Sequence, residues 1–149
     1  IKVLRDNEEK DCYATIYKVD DTLKIGVMIT VTYNYTEDPK ASIQMKQSES
    51  GPSGGLMMSL AIYDALTEED LTHGKKIIGT GTMDIYGNVG EISGVKYKLI
   101  GAVKQKAEVF LVPEGNYEEA LQVKEEKGYD IELISVDNIK TAIEALNHL

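Results

Sequence analysis

The chain has 149 residues, a formal net charge of −9 at pH 7, and 42% hydrophobic against 28% charged residues. These values are typical of about one globular domain with its own hydrophobic core. The acidic surface repels phosphate backbones, which argues against a nucleic-acid partner. One cysteine excludes an internal disulfide bond. The longest apolar run, residues 23–31, is too short to span a bilayer.

The first part of the chain predicts strands. Residues 1–4 and 11–17 are short extended segments on either side of a polar turn at residues 5–8, a pattern that indicates a hairpin. Residues 23–35 are rich in Val, Ile, Thr and Tyr, which favour strands. A further strand is predicted at residues 41–46.

Helices enter the pattern after residue 50. The first helix is predicted to begin at Pro52 and to fade near Thr67. Its apolar face consists of Leu56, Met57, Leu60, Ala61 and Tyr63. A strand at residues 76–82 and a turn at residues 84–89 follow. The second helix is predicted over residues 94–107.

The last third of the chain predicts strand, helix, strand and helix. The strands are at residues 109–112 and 131–136. Asn116 is expected to cap the third helix, which ends before Gly128, and Asp137 is expected to cap the last helix. Four apolar positions of that last helix follow the helical period: Ile139, Ala142, Ile143 and Leu146. Together the elements predict an α+β fold.

The most informative segment for function is Ser-Gly-Pro-Ser-Gly-Gly-Leu at residues 50–56, where Ser53 lies in a glycine-rich bend that enters a helix. Free backbone N–H groups and the positive end of the helix dipole meet there, so an oxyanion would be stabilised. Residues 51–55 also fit the G-x-S-x-G nucleophile elbow of α/β-hydrolases. Pro52 and the short chain argue against that fold. Ser53 is therefore a candidate nucleophile that needs a base.

Two kinds of side chain are candidates for the base. His73 lies in a polar stretch and His148 is the second-last residue, so both histidines are poorly placed. A lysine base has to be neutral near pH 7, although its ordinary pKa is about 10.4. A helix N-terminus and an apolar environment both favour the neutral amine. Lys96 and Lys98 lie near the start of the second helix on different faces, and periodicity alone does not choose between them.

Three ordered motifs resemble the proteolytic domain of Lon proteases, in particular the PDZ-containing Lon-like branch of Gram-positive bacteria. They are Gly-Pro-Ser-Gly-Gly-Leu at residues 51–56, Gly-Thr-Gly-Thr-Met-Asp at residues 79–84, and Gly-Asn-Val-Gly-Glu-Ile-Ser-Gly-Val-Lys-Tyr-Lys at residues 87–98. Val-Phe-Leu-Val-Pro-Glu at residues 109–114 continues the likeness. The resemblance covers residues 23–146 of the chain.

This resemblance implies a serine–lysine catalytic dyad. Ser53 corresponds to the nucleophile, and Lys98, 45 residues further on, corresponds to the general base. The Thr80 hydroxyl is expected to support the lysine amine, and the Ser53 N–H to be an oxyanion donor. The supporting positions of the motifs are Thr80, Gly51, Pro52 and Gly94.

The motifs depart from the family pattern at four positions. Gly54 replaces an alanine and Ser93 replaces a glycine. Glu91 stands where proline is frequent, and Ser50 stands where an acidic residue is frequent. A Glu91 carboxylate that points inward would hold the proton on Lys98. The alternative prediction is therefore a catalytically impaired domain with the Lon fold that binds partners or serves as a scaffold.

The resemblance has further implications for the whole protein. The fold is expected to be the Lon proteolytic-domain fold (ribosomal protein S5 domain 2-like), with mixed sheets and about four helices. Residues 22–149 would form the protease domain, and residues 1–21 the end of a PDZ-like domain or an N-terminal strand pairing. The chain would be a fragment of a longer protein.

The expected activity is ATP-independent endopeptidase cleavage of protein or peptide substrates, without metal or cofactor. The family implies a homo-oligomer such as a hexameric ring. It also implies a membrane anchor N-terminal to this chain and an extracellular protease domain. A cytoplasmic location is the alternative.

Overall fold

The computed structural model describes most of the chain, namely residues 1–26, 36, 39–44, 51–68 and 70–149. The chain divides into two compact units, Ile1–Asp38 and Pro39–Leu149. The domain boundary predicted between residues 21 and 22 stays a prediction. In the described residues, no helix is long and apolar enough to cross a bilayer.

The first unit begins with an antiparallel hairpin of β1 (Lys2–Arg5) and β2 (Glu8–Asp11). The predicted hairpin is thus confirmed, but its second strand was wrongly placed at residues 11–17. Asp6 and Asn7 close the turn with φ of 57° and 62°. Left-handed residues at both central positions make a two-residue turn, so pairing resumes at Glu8 and not at residue 11.

This unit contains a second hairpin, which was not predicted from the sequence. β3 (Tyr17–Val19) pairs antiparallel with β4 (Thr22–Lys24). Asp20 and Asp21 form the turn with φ of 48° and 61°, and aspartate tolerates this conformation. Most of the strand predicted at residues 23–35 lies outside the described residues.

The second unit alternates helices and strands. Its elements in chain order are α1 (Gly55–Leu66), β5 (Ile77–Gly79), β6 (Thr82–Met83), β7 (Val89–Gly90), α2 (Val95–Lys104), β8 (Val109–Pro113), α3 (Tyr117–Lys127), β9 (Glu132–Val136) and α4 (Ile139–Leu146). The four predicted helices are confirmed to within a few residues, and the described part of the chain is of the expected α+β class. Residues 41–44 form neither helix nor strand, and residues 45–46 lie outside the described residues.

β8 is the central strand of a parallel sheet with the order β5-β8-β9. All of its residues are buried, and the first four alternate between two core clusters. Val109 and Leu111 pack with residues of α1 and α4, whereas Phe110 and Val112 pack with residues of α2 and α3. Successive side chains of a strand point to opposite faces, so a continuous apolar strand is covered by helices on both sides.

The strand predicted at residues 76–82 is wrong as a single element. β5 ends at Gly79, and β6 pairs antiparallel with β7 in a different sheet. Between them, the Thr80 N–H donates to the Leu111 carbonyl at 3.0 Å and the Gly81 N–H donates to the Ser53 carbonyl at 2.9 Å. The chain leaves the sheet here because its backbone bonds to the bend that contains Ser53.

One predicted helix cap is wrong, and another is confirmed only in its position. α4 is capped by Asn138 and not by Asp137, since the Asn138 side chain accepts from the N–H groups of Lys140 at 2.9 Å and Thr141 at 3.0 Å. Asn116 precedes α3 as expected, but its side chain makes no capping hydrogen bond.

Candidate active site

Ser53 lies in a single 3-10 turn, Pro52–Gly54, that leads directly into the 12-residue helix α1. Gly51 is extended, and Pro52 occupies the first position of the turn, where its fixed φ suits a helical start. The Gly54 N–H donates to the Gly51 carbonyl at 3.1 Å and closes the bend. Ser53 is thereby held at the positive end of the α1 dipole.

The Ser53 carbonyl is fixed by two donors from the segment between β5 and β6. The Thr80 Oγ1 donates to it at 3.1 Å and the Gly81 N–H donates to it at 2.9 Å. In return, the Leu56 N–H donates to the Gly81 carbonyl at 3.1 Å. Thr80 is 1% exposed, and its described hydroxyl bond goes to Ser53 and not to Lys98. Thr80 therefore supports the serine backbone in this structure.

Lys98 lies in the first turn of α2, and its side chain contacts Ser53. Its Nζ lies 3.1 Å from the Ser53 Oγ, across 45 residues of sequence. α2 starts after Gly94, whose left-handed φ of 73° turns the chain into the helix. Lys96, the other candidate, is exposed, and its side chain forms no hydrogen bond or ion pair with the described residues. The structure thus brings Ser53 and Lys98 together at hydrogen-bond distance.

A cleft of about 520 Å³ opens beside Ser53 and Lys98 and is lined by residues of α1, α2, β5 and β8. Gly101 and Ala102 of α2 line it, as does Gln105 at the C-cap of that helix. They follow Lys98 at helical spacing and so share its face. This period could have identified them from the sequence once Lys98 was chosen. Met57, Ile78 and Phe110 provide apolar walls next to the candidate nucleophile.

The Glu91 side chain lies away from the cleft. A Cβ built on Gly115 would fall on the Glu91 carboxylate, so this side chain occupies the space over Gly115. Glu91 does not line the cleft, and in the described residues it forms no ion pair with Lys98. The condition under which it would hold a proton on the lysine is not met in this structure.

The remaining candidates lie elsewhere. His73 and His148 are exposed, and neither lines the cleft. Within the described residues, no group of three or more His, Cys, Asp or Glu side chains is arranged to hold a metal ion. The chemistry that this arrangement allows is therefore that of a hydroxyl beside an amine, at a helix N-terminus.

Comparison with known proteins points to the same segment of the chain. Residues 42–148 match the family described as the Lon protease (S16) C-terminal proteolytic domain. The Lon protease of Campylobacter concisus is 37% identical over 92 residues, which are 61% of this chain and 11% of that protein. The Lon protease of Desulfatibacillum aliphaticivorans is 30% identical over 96 residues, 64% of this chain and 11% of that protein.

A longer match reaches into the first unit. The Lon protease of Helicobacter pylori is 27% identical over 145 residues, which are 97% of this chain and 17% of that protein. The chain therefore spans between 11% and 17% of the length of these relatives.

Proposed function

Because the chain belongs to the Lon protease (S16) C-terminal proteolytic domain family, we propose that it is a serine endopeptidase domain. Ser53 would be the nucleophile and Lys98 the general base. The observation that carries this proposal is the 3.1 Å distance between the Lys98 Nζ and the Ser53 Oγ. A separation of about 2.6–3.2 Å is what direct proton transfer between the two groups requires.

In the proposed mechanism, the neutral Lys98 amine takes the proton of the Ser53 hydroxyl as its Oγ attacks the peptide carbonyl carbon. The resulting Lys98 ammonium then protonates the leaving amine, the peptide C–N bond breaks, and an acyl-enzyme remains. A water molecule then gives a proton to Lys98 and adds its hydroxyl to the ester carbonyl carbon. The bond from this carbon to the Ser53 Oγ breaks, the Lys98 ammonium returns the proton to that oxygen, and the carboxylic acid is released from the free enzyme.

The Ser53 N–H is the proposed donor to the oxyanion. The next three N–H groups already donate to carbonyls, from Gly54 to Gly51, from Gly55 to Pro52 and from Leu56 to Gly81. Within the part of the chain that the structure describes, no group accepts a hydrogen bond from the Ser53 N–H. This N–H lies at the positive end of α1, where a developing negative charge is stabilised.

The cleft supports a peptide substrate. Lys98 is exposed in the free chain, and a peptide lying in the cleft would displace water from between its amine and the apolar walls. A substrate side chain would then contact these walls while its peptide carbonyl lies beside Ser53.

The finer assignments rest on the sequence motifs. We propose the ribosomal protein S5 domain 2-like fold, membership of the PDZ-containing Lon-like branch, and cleavage without ATP. A homo-oligomer, an anchor outside this chain and an extracellular protease domain belong to the same proposal. The ordered motifs around Ser53, Thr80 and Lys98 are what support it.

The test incubates the intact protein with a denatured protein as substrate, in the absence of nucleotide, and measures cleavage of the substrate. Ser53→Ala and Lys98→Ala should each lower kcat by at least about 10³-fold, since the two groups act as a unit. Lys96→Ala is the matched control, a lysine on the same helix turn, and should keep wild-type activity. A fluorophosphonate should label wild-type protein at Ser53.

Other outcomes would decide against the dyad. Absence of both cleavage and labelling in the assembled wild-type protein would indicate the binding or scaffold domain. Activity that survives Lys98→Ala but disappears with His73→Ala or His148→Ala would identify a histidine-dependent hydrolase.

A further inference from the structure

Asn116 is a buried asparagine whose side chain is not used by its own helix. It is 6% exposed and occupies the N-cap position of α3, where asparagine ordinarily accepts a hydrogen bond from the first helical turn. No such bond is present. The Asn116 side chain therefore does not stabilise the start of α3 and contacts another segment of the chain.

That contact is with the backbone of Ile92, 24 residues away in sequence. The Asn116 Oδ1 accepts from the Ile92 N–H at 2.8 Å, and the Asn116 Nδ2 donates to the Ile92 carbonyl at 3.1 Å. One amide thus satisfies both polar backbone groups of one residue, as a neighbouring strand would. Loss of the amide would leave these part-buried groups without their partner.

Ile92 lies three residues before Val95, the first residue of α2. The N-cap residue of α2, Gly94, has no side chain and makes no capping bond. The Ile92 side chain packs against the core cluster that contains Val95 and Leu99 of α2. The position at which α2 begins is therefore held by this packing and by the Asn116 amide.

We propose that Asn116 is a positioning residue for the active site: by fixing Ile92 it fixes the start of α2, and so holds Lys98 against Ser53. The expected effect on catalysis rests on the proposed function, whereas the expected effect of Asn116 on the start of α2 does not. A displacement of about 1 Å at a reacting group lowers the rate by up to about 10²-fold. An anchor close to the first turn of α2 is sufficient to control such a displacement.

The test compares Asn116→Ala with Asn138→Ala in the intact protein. Asn138 is the matched control, because it is also an N-cap asparagine. Its hydrogen bonds to residues that the structure describes lie within the start of α4 and at Asp137. Amide hydrogen exchange should become faster over residues 92–98 in Asn116→Ala and stay unchanged there in Asn138→Ala. Unchanged exchange over residues 92–98 in Asn116→Ala would overturn the inference, whether or not the protein is a protease.

Activity is the second measurement, made at a temperature where both variants are fully folded. Asn116→Ala should lower kcat by about 10- to 100-fold with little change in KM. Asn138→Ala should keep the wild-type kcat. Asn116→Asp keeps the acceptor for the Ile92 N–H and should fall between Asn116→Ala and wild type. In a Lys98→Ala background, Asn116→Ala should not slow fluorophosphonate labelling further, because its effect is exerted through Lys98.

The failures of the two proposals differ. If Asn116→Ala loses no more kcat than Asn138→Ala, Asn116 has only a structural role and the inference is overturned. If instead wild type and Lys98→Ala react equally, the proposed dyad fails, and the exchange result alone decides whether Asn116 anchors α2.

Discussion

Two glycines that line the cleft, Gly79 and Gly101, have opposite surroundings. A Cβ on Gly79 would lie 2.6 Å from the Met57 Sδ and 2.8 Å from the Leu111 Cβ. A Cβ on Gly101 would meet no atom within 4 Å outside the backbone of α2. The first glycine lets α1 and β8 approach β5, whereas the second leaves open space in the cleft beside Lys98.

We expect Gly79→Ala to lower the free energy of unfolding by about 1–3 kcal/mol through overpacking. Gly101→Ala should raise it by about 0.5–1 kcal/mol, because alanine is favoured over glycine within a helix and has room here. Urea denaturation of both variants measures the difference. Equal stabilities would show that Met57 and Leu111 yield without cost.

At the scale of elements, the turn that joins β6 to β7 is organised by one carboxylate. The Asp84 Oδ2 accepts from the Asn88 Nδ2 at 2.7 Å, and its Oδ1 accepts from the N–H groups of Asn88 and Tyr86, both at 2.8 Å. The hydrogen bonds from the Asn88 side chain and backbone lower the pKa of Asp84 below its ordinary value of 3.8. The ionised carboxylate therefore stabilises the turn.

A lowered pKa in the folded state fixes the direction of the pH dependence. The contribution of Asp84 to stability is fully present above the ordinary, unfolded pKa of 3.8 and is lost as the pH falls through the lower folded pKa. Asp84→Asn should therefore make the free energy of unfolding depend less on pH below about 4. Urea midpoints measured from pH 2 to 6 test this, and curves that stay parallel throughout would contradict it.

Elements were predicted better than their connections. α1 to α4 are where apolar periodicity placed them, because each helix buries one stripe of side chains. The error at residues 76–82 arose because alternation continues through Thr80 while the hydrogen-bond partner changes from Leu111 to Ser53. Asn116 was misread for the same reason, since its partner is Ile92 and not its own helix.

For the whole molecule, β8 is the strand on which both core clusters depend. Phe110 is fully buried between the sheet and the helices α2 and α3, and it also lines the floor of the cleft. Leu111, next in the chain, is fully buried in the cluster that includes α1 and α4. The two candidate catalytic residues are thus carried by helices that pack on opposite faces of one sheet.

Truncation of Phe110 to alanine should lower the free energy of unfolding by about 3–5 kcal/mol, because it removes a buried ring and leaves a cavity. Phe110→Leu, which keeps most of the apolar volume, is the matched control and should lose less. Thermal or urea unfolding measures both. A loss below about 1 kcal/mol for Phe110→Ala would mean that the core around β8 rearranges to fill the space.

The sequence by itself determined the helices, the buried central strand and the placement of Ser53 before a helix, because these follow from local periodicity and turn chemistry. Its motifs also indicated the protease family. The motif resemblance already chose Lys98 over Lys96, but only the tertiary structure shows the Lys98 Nζ 3.1 Å from the Ser53 Oγ. The structure also shows that the Thr80 side chain is hydrogen-bonded to the backbone of Ser53 and the Asn116 side chain to the backbone of Ile92. These contacts join residues 24 to 45 positions apart, so no local pattern specifies them.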